Sequence, residues 1–221
     1  MMNRASAKAG LSAMMKQPAP KSASDEALNA LLATVTKSVG LVDEIGVGED
    51  KTRENTKLSD AGKQEQLKQH SEKSLPELEF VGRKVNDARA LYARLTALTL
   101  DPITAIPKGV NDVVDAQRAQ WIWQSVGESD APATWLKALE TDDLETARAL
   151  LSVPGRPWIP ADIRARGEEE FARRTNPTVF EQRRSVEYLR DQLLALAELL
   201  RQWLVGLGAN PETVAKTLGL K

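Results

Sequence analysis

The 221-residue chain contains no cysteine and a single histidine, His70, and these absences exclude several kinds of site. Without cysteine there can be no disulfide, no thiolate nucleophile and no thiolate metal ligand. A metal ion would need carboxylate ligands and at most one imidazole. Because His70 stands among polar residues with no Glu three positions before it, we expect an exposed side chain and neither a metal site nor a cofactor site.

Motifs typical of enzymes are also missing. The sequence has no Gly-x-Ser-x-Gly elbow and no phosphate-loop lysine motif, and Gly46-x-Gly48 lacks the third glycine of a dinucleotide-binding loop. The acidic run from Glu168 to Glu170 occupies consecutive helix positions, which point in different directions. We therefore predict no catalytic residues, and an enzyme with paired carboxylates stays as a weaker alternative.

Charge and hydrophobicity show no strong overall bias. The chain has 30 basic and 31 acidic residues, and the net charge of −1 disfavours attraction of DNA to the whole surface. Its strongly apolar runs are too short to cross a bilayer, and its N-terminus lacks the apolar core of a secretory signal. We expect no membrane partner, no export through a signal peptide, and a cytoplasmic or virion location.

Basic charge is concentrated at the N-terminus. Residues 1–24 carry Arg4, Lys8, Lys16 and Lys21 and no acidic residue. Their Ala, Ser, Lys and Met composition predicts a flexible arm, whose removal should leave stability almost unchanged. The four cations could contact nucleic acid or an acidic partner surface, and a disordered tail is the alternative.

The apolar residues of the chain recur at helical spacing. They show no alternating pattern of the kind that is typical of strands. The strongest pattern begins at Asn176-Pro177, a helix start, and continues in steps of three and four to Leu207. Its seam consists of Val186, Leu189, Leu193, Leu196, Leu200, Trp203 and Leu207. This coiled-coil spacing predicts a helix packed along another helix, either Leu78–Leu98 of the same chain or a second copy.

The remaining elements predict an all-α helical bundle with two long helices, several short ones and one α-helical domain over residues 25–221. Gly40, Gly46 and Gly48 should break a helix that starts near Asp25. Pro76 should kink or interrupt a helix that runs from Ser59 to about Leu98, and Asp101-Pro102 should end it. Shorter helices are expected at 110–126, 133–140, 142–152, 161–174 and 210–218, and either Thr141 or Asp142 should start the third of them. The Pro- and Gly-rich segment 154–160 is the candidate hinge.

Five tryptophans stand out as candidate interaction residues, because tryptophan is enriched at interface anchors. Trp121 and Trp123 are two positions apart on a predicted helix and so point in different directions. Either one lies in the core and the other meets a partner, or both are buried in a sandwiched helix. The complete predicted interaction set is Leu193, Leu196, Leu200, Trp203, Trp121, Trp123 and Trp158.

An arginine-rich region flanks the start of the long C-terminal helix. Its members are Arg164, Arg166, Arg173, Arg174, Arg183 and Arg184. Glutamates are interleaved with these arginines, which favours ion pairs within and between helices. A stripe that binds phosphates is the alternative interpretation.

Residues 53–67, which include Leu58-Ser-Asp-Ala-Gly62-Lys, form a polar lead-in to a long helix. This segment resembles small helical accessory structural proteins encoded among the capsid genes of tailed bacteriophages. The resemblance covers some 15 residues and brings no catalytic or binding residue with it. It implies a virion component present in many copies, with helices packed against neighbouring subunits.

Taken together, these observations predict a non-enzymatic structural or assembly protein. We expect protein partners, either further copies in a homo-oligomer or neighbouring structural proteins of a larger complex. The alternative is an accessory protein that contacts nucleic acid through the basic arm and the arginine-rich helices.

Overall fold

A computed structural model describes residues 4–16, 25–104, 112–155 and 157–220. These residues form nine α-helices and no strand, which confirms the predicted all-α fold. The helices are α1 (Arg4–Lys16), α2 (Asp25–Glu54), α3 (Asp60–Thr104), α4 (Asp112–Val126), α5 (Ala131–Glu140), α6 (Leu144–Leu151), α7 (Ala161–Thr175), α8 (Pro177–Gly206) and α9 (Pro211–Thr217).

The chain folds into two compact units, where the sequence predicted a single domain over residues 25–221. The first unit contains the chain up to Ala93 and again from Gln182, and the second contains Arg94–Glu181. Helices α3 and α8 contribute residues to both units, so their uninterrupted helical patterns suggested one bundle. The segment 154–160 lies inside the second unit, and its role as a hinge stays a prediction.

Helices α1, α2, α3, α8 and α9 all contribute to the core of the first unit. The predicted seam of α8 lies in this core, where Leu196, Leu200 and Trp203 are fully buried. The facing segment of α3 supplies Leu78 and Val81 to the same core. The seam therefore packs against other helices of the same chain.

Polar contacts also connect α3 to α8. The hydroxyl of Tyr92 donates to the carboxylate of Glu187 at 3.1 Å, and the Arg190 guanidinium lies 4.1 Å from the centroid of the Tyr92 ring. This position is favourable for a cation because the face of an aromatic ring has a negative electrostatic potential. Together with the shared core, these contacts confirm residues Leu78–Tyr92 of the predicted Leu78–Leu98 segment as an intrachain partner of the C-terminal helix.

The prediction of a flexible arm is wrong for residues 4–16, which form α1. Ala7 and Leu11 are fully buried and Met14 is 9% exposed, so one face of α1 is part of the first core. The spacing of four and three between them forms a narrow apolar stripe, which the polar composition of the segment concealed. Removing α1 should therefore destabilise the protein. Residues 17–24 of the predicted arm lie outside the described residues.

Ion pairs hold the exposed side of α1 against α2. Arg4 donates to Asp50 at 2.6 Å and to Asp43 at 3.0 Å, and the Lys8 ammonium lies 2.7 Å from Asp43. Hydrogen bonds from Lys8 and from Arg4 hold the pKa of Asp43 below its ordinary value of 3.8. The carboxylate of Asp43 is therefore stabilised in the folded state.

This shift predicts a specific dependence of stability on pH. A carboxyl group whose pKa is depressed by folding stabilises the protein above its unfolded pKa and loses that contribution as pH falls through the folded pKa. We expect Asp43→Asn to reduce the loss of stability on acidification below about pH 4. Urea unfolding of wild type and variant between pH 3 and pH 7 measures this effect. If the free energy of unfolding falls equally for wild type and Asp43→Asn as the pH is lowered, the pairing of Asp43 is contradicted. Asp25→Asn is the control.

Helix α2 continues to Glu54 and does not end at Gly40 as predicted. Gly46 and Gly48 lie in the same helix, beneath the side chains of Arg4 and His70 respectively. Two of the glycines that indicated a break therefore permit close contacts with α1 and α3. An intrinsic cost of about 1 kcal/mol per helical glycine is small enough for such packing to offset.

The glycines of α2 provide a matched pair of substitutions. Among the described residues, no atom outside the local backbone of α2 lies within 4 Å of a Cβ added at Gly40, whereas a Cβ added at Gly48 would overlap the imidazole ring of His70. Gly40→Ala should therefore stabilise the protein by about 0.5–1 kcal/mol. Gly48→Ala should destabilise it by about 1–3 kcal/mol, as expected for overpacking. Chemical denaturation measures both, and an equal effect of the two changes would contradict the placement of His70.

Pro76 does not interrupt α3 and Pro102 does not end it, because α3 is helical from Asp60 to Thr104. A bend at Pro76 stays a prediction. Pro76 removes one backbone hydrogen bond, but Leu75 and Leu78 on either side of it are buried in the first core. Packing on both sides of the proline thus maintains the helix. The start of α3 is as predicted, because the Ser59 hydroxyl accepts a hydrogen bond from the Gly62 amide at 3.2 Å.

The second unit has its own core, which is centred on the fully buried Trp135 of α5. Helix α7 approaches this tryptophan closely at Gly167, where a Cβ would overlap the indole ring. The short helices of this unit agree with the prediction, except that Asp143 and not Thr141 or Asp142 caps α6. The Asp143 carboxylate accepts a hydrogen bond from the Thr146 amide at 3.1 Å.

The final helix also begins where predicted. The Asn210 side chain accepts hydrogen bonds from the amides of Glu212 and Thr213, and Pro211 occupies the first turn of α9. The same Asn-Pro pair starts α8, where the Val179 amide donates to the Asn176 side chain at 3.4 Å. These starts were predictable because capping depends on adjacent residues alone.

Candidate interaction surface

Four of the predicted interaction residues lie inside the first core. Leu193 is 2% exposed, and Leu196, Leu200 and Trp203 are fully buried. Their contacts are made with the chain's own helices, so the folded protein does not present them to a partner. The seam is a determinant of the fold, and the prediction that these four residues form an interaction surface is corrected accordingly.

The three predicted tryptophans of the second unit differ in exposure. Trp123 and Trp158 are half-buried and pack against the second core. The Trp123 indole N–H also donates to the carbonyl oxygen of Ala149 at 2.6 Å. Trp121 is 66% exposed, which makes it the most exposed of the large apolar side chains identified on the described surface. The prediction that Trp121 and Trp123 point in different directions is confirmed.

Trp121 belongs to an exposed stripe on α4. Val114, Arg118, Trp121 and Ser125 follow one another at four, three and four positions, so they share one side of the helix. Val114 is 38% exposed, and Arg118 and Ser125 are also exposed. The stripe extends about 16 Å along the helix, at 1.5 Å per residue.

Within residues 117–126, the exposed side chains next to this stripe are neutral amides. Gln117, Gln120 and Gln124 are all exposed, and Arg118 is the one charged residue between Gln117 and Val126. A helical surface of low charge with a central tryptophan has the composition of an interface, since charged residues are depleted at interface centres.

The first turn of α6 borders the stripe and supplies acidic groups. A shallow groove between α4 and α6 is lined by Arg118, Trp121, Ile122, Ser125, Asp143, Glu145 and Thr146. An Arg118 guanidinium nitrogen lies 3.6 Å from a carboxylate oxygen of Glu145, and both side chains are more than half exposed. The groove thus joins an aromatic face to one cation and two carboxylates.

A second depression continues from this groove towards α5. It is lined by Ile122 and Val126 of α4, Ala138 of α5 and hydroxyl groups that include Thr134 and Thr141. Together, the α4 stripe and the two depressions form what we call the Trp121 surface. Arg118 and Glu145 were not identified from the sequence as members of it, because their proximity arises from the packing of α4 against α6.

The predicted nucleic-acid contacts at the N-terminus have acidic partners in the chain itself. Arg4 pairs with Asp43 and Asp50, and Lys8 pairs with Asp43. Lys16 is exposed at the end of α1, and Lys21 lies outside the described residues. Much of the basic charge that suggested nucleic-acid binding is therefore compensated within the first unit.

The arginine-rich helices form the predicted ion pairs at three positions. Arg164 pairs with Glu168 at 2.7 Å and Arg173 with Glu170 at 2.6 Å, while Arg174 reaches Asp142 at 2.8 Å. The hydrogen bond from Arg173 lowers the pKa of Glu170 below its ordinary value. These pairs favour the ion-pair interpretation over a continuous phosphate-binding stripe.

His70 is not the exposed side chain that was predicted. Its ring is half-buried, packs on Gly48, and has Nε2 3.0 Å from the carbonyl oxygen of Ile45. The imidazole therefore connects α3 to α2. In the described part of the chain, no group of three or more His, Asp or Glu side chains is placed to hold a metal ion.

Comparisons of the chain with protein-family models, with curated proteins and with solved structures found no match. Among the described helices, none combines the length and the apolar character needed to cross a membrane.

Proposed function

We propose that the protein is a non-enzymatic assembly component that binds a protein partner through the Trp121 surface. The observation that supports this most directly is the 66% exposure of Trp121, in a chain whose Trp135 and Trp203 are fully buried. Exposing an indole to water is unfavourable, and tryptophans in this position are frequent hot spots of binding. A particle of a tailed bacteriophage is the complex that the resemblance of residues 53–67 implies.

The surroundings of Trp121 also support a protein partner. Neutral glutamines flank the indole on α4, and Arg118 and Glu145 provide charges of both signs at the edge. Such a surface combines an apolar anchor with a polar rim, the usual anatomy of a protein interface. Nucleic acid would be favoured by an uncompensated basic groove instead, and Arg4 and Lys8 are paired with acidic residues.

The test is the mass of the purified protein by sedimentation, alone and mixed with the products of neighbouring genes. We expect a complex that is heavier than one chain, and we expect Trp121→Ala to weaken it by a factor of about 30 or more. Leu98→Ala is a matched control, because Leu98 is 54% exposed and also lies in the second unit. A complex that forms equally well with both variants would contradict the proposal.

A further inference from the structure

We infer that the partner at the Trp121 surface is a second copy of this chain, bound in a symmetric dimer. The inference rests on the proposed function and adds the identity of the partner. It starts from the arrangement of charges around the indole. Arg118 and Glu145 place one charge of each sign next to each other at the rim of the surface.

The Arg118–Glu145 pair is available for contacts outside its own chain. The two charged groups are 3.6 Å apart, and the side chains are 54% and 60% exposed. An exposed ion pair of this kind contributes little to the stability of a folded chain, because water screens it. Both groups can therefore turn towards a partner at small cost to the second unit.

Two-fold symmetry converts this pair into a complementary surface. In a symmetric dimer, if residue i of one copy contacts residue j of the other, then j also contacts i. An axis beside the pair places Arg118 of one copy opposite Glu145 of the second copy, and places Glu145 opposite Arg118. The four charges alternate in sign around the axis. A uniformly acidic or basic partner would satisfy one charge of each pair and repel the other.

The apolar residues of the α4 stripe lie on both sides of Arg118. Val114 precedes it by four positions and Trp121 follows it by three, so the two apolar side chains are about 10 Å apart along the helix. A second copy related by an axis beside the Arg118–Glu145 pair would extend over both. Gln117 and Gln124 on the same helix are uncharged, so these two side chains add no like-charge repulsion between two α4 helices.

Exchange of the charges provides a specific test. In a dimer of Arg118→Glu chains, or of Glu145→Arg chains, both cross-contacts become repulsive. In a mixed dimer with one chain of each kind, both become attractive again. By sedimentation velocity we expect each variant alone to dimerise about 10-fold more weakly than wild type, and an equimolar mixture to recover most of the loss. Leu98→Ala is the control and should dimerise like wild type.

Circular dichroism establishes that each variant is folded before association is measured. A wild-type chain that stays monomeric up to about 100 μM, or a mixture that does no better than its two components, would overturn the dimer. If a monomeric wild-type chain still binds a neighbouring gene product, and Trp121→Ala abolishes that binding, the proposed function stands and the second copy is the wrong partner. If Trp121→Ala weakens neither dimerisation nor binding of a neighbouring gene product, both the dimer and the proposed function are wrong.

Discussion

Replacing Leu196 with alanine is expected to lower the free energy of unfolding by about 2–5 kcal/mol. Leu196 is fully buried at the centre of the α8 seam, in the core that α3 also supplies. Truncation removes apolar contacts and leaves a cavity that neighbouring helices can fill only in part. Chemical denaturation measures the loss, and Leu91→Ala, at a position 43% exposed on α3, should change stability by less than about 0.5 kcal/mol.

The effect of Leu196→Ala should not depend on protein concentration, since the residues opposite the seam belong to the same chain. A dimeric seam would instead give a Leu196→Ala variant that dissociates while it is still folded, and a loss of stability that changes with protein concentration. Stability equal to that of wild type would mean that the seam is not packed as described.

Replacing Trp135 with alanine should cost about 3–5 kcal/mol, the range for a buried tryptophan. Trp135 is fully buried in the second core, and α7 approaches it at Gly167. Because the two units have separate cores, protection from hydrogen exchange should fall in α5, α6 and α7 and be retained in α1 and α9. Trp121→Ala, at an exposed tryptophan of the same unit, is the control and should leave this protection unchanged.

A uniform loss of protection over the whole described chain after Trp135→Ala would contradict two independent cores. It would indicate a single cooperative fold, as residues 25–221 were predicted to form from the sequence. Hydrogen exchange followed by mass spectrometry resolves these outcomes helix by helix.

Features that depend on neighbouring residues were predictable from the sequence. The Asn-Pro starts of α8 and α9, the Ser59 cap of α3 and the heptad seam of α8 all agree with the structure. In each case a short pattern contains the whole physical cause, either a cap that satisfies free amides or an apolar stripe with helical spacing.

Features that depend on tertiary contacts were not predictable in the same way. Gly46 and Gly48 looked like breaks in α2, but they admit side chains from α1 and α3. The apolar stripe of α1 consists of only three residues, and their burial depends on helices distant in sequence. The division into two units was hidden because α3 and α8 continue through it without a change of pattern.

The candidate surface was predictable only in part. Its central residue, Trp121, was among the seven proposed interaction residues, and its divergence from Trp123 followed from helix geometry. The sequence did not distinguish which tryptophan would be exposed, because that depends on where α6 packs against α4. It also did not bring Arg118 and Glu145 together, since 27 positions separate them.

Sedimentation combined with thermal melting of Leu196→Ala and Trp121→Ala separates the two roles, in which the seam stabilises the fold and Trp121 binds the partner. We predict that Leu196→Ala melts at a lower temperature yet associates like wild type at temperatures where it is folded. We predict that Trp121→Ala melts like wild type at concentrations too low for wild type to associate, and that it associates at least about 30-fold more weakly. The reverse assignment, in which folded Leu196→Ala fails to associate while Trp121→Ala associates normally, would contradict the account.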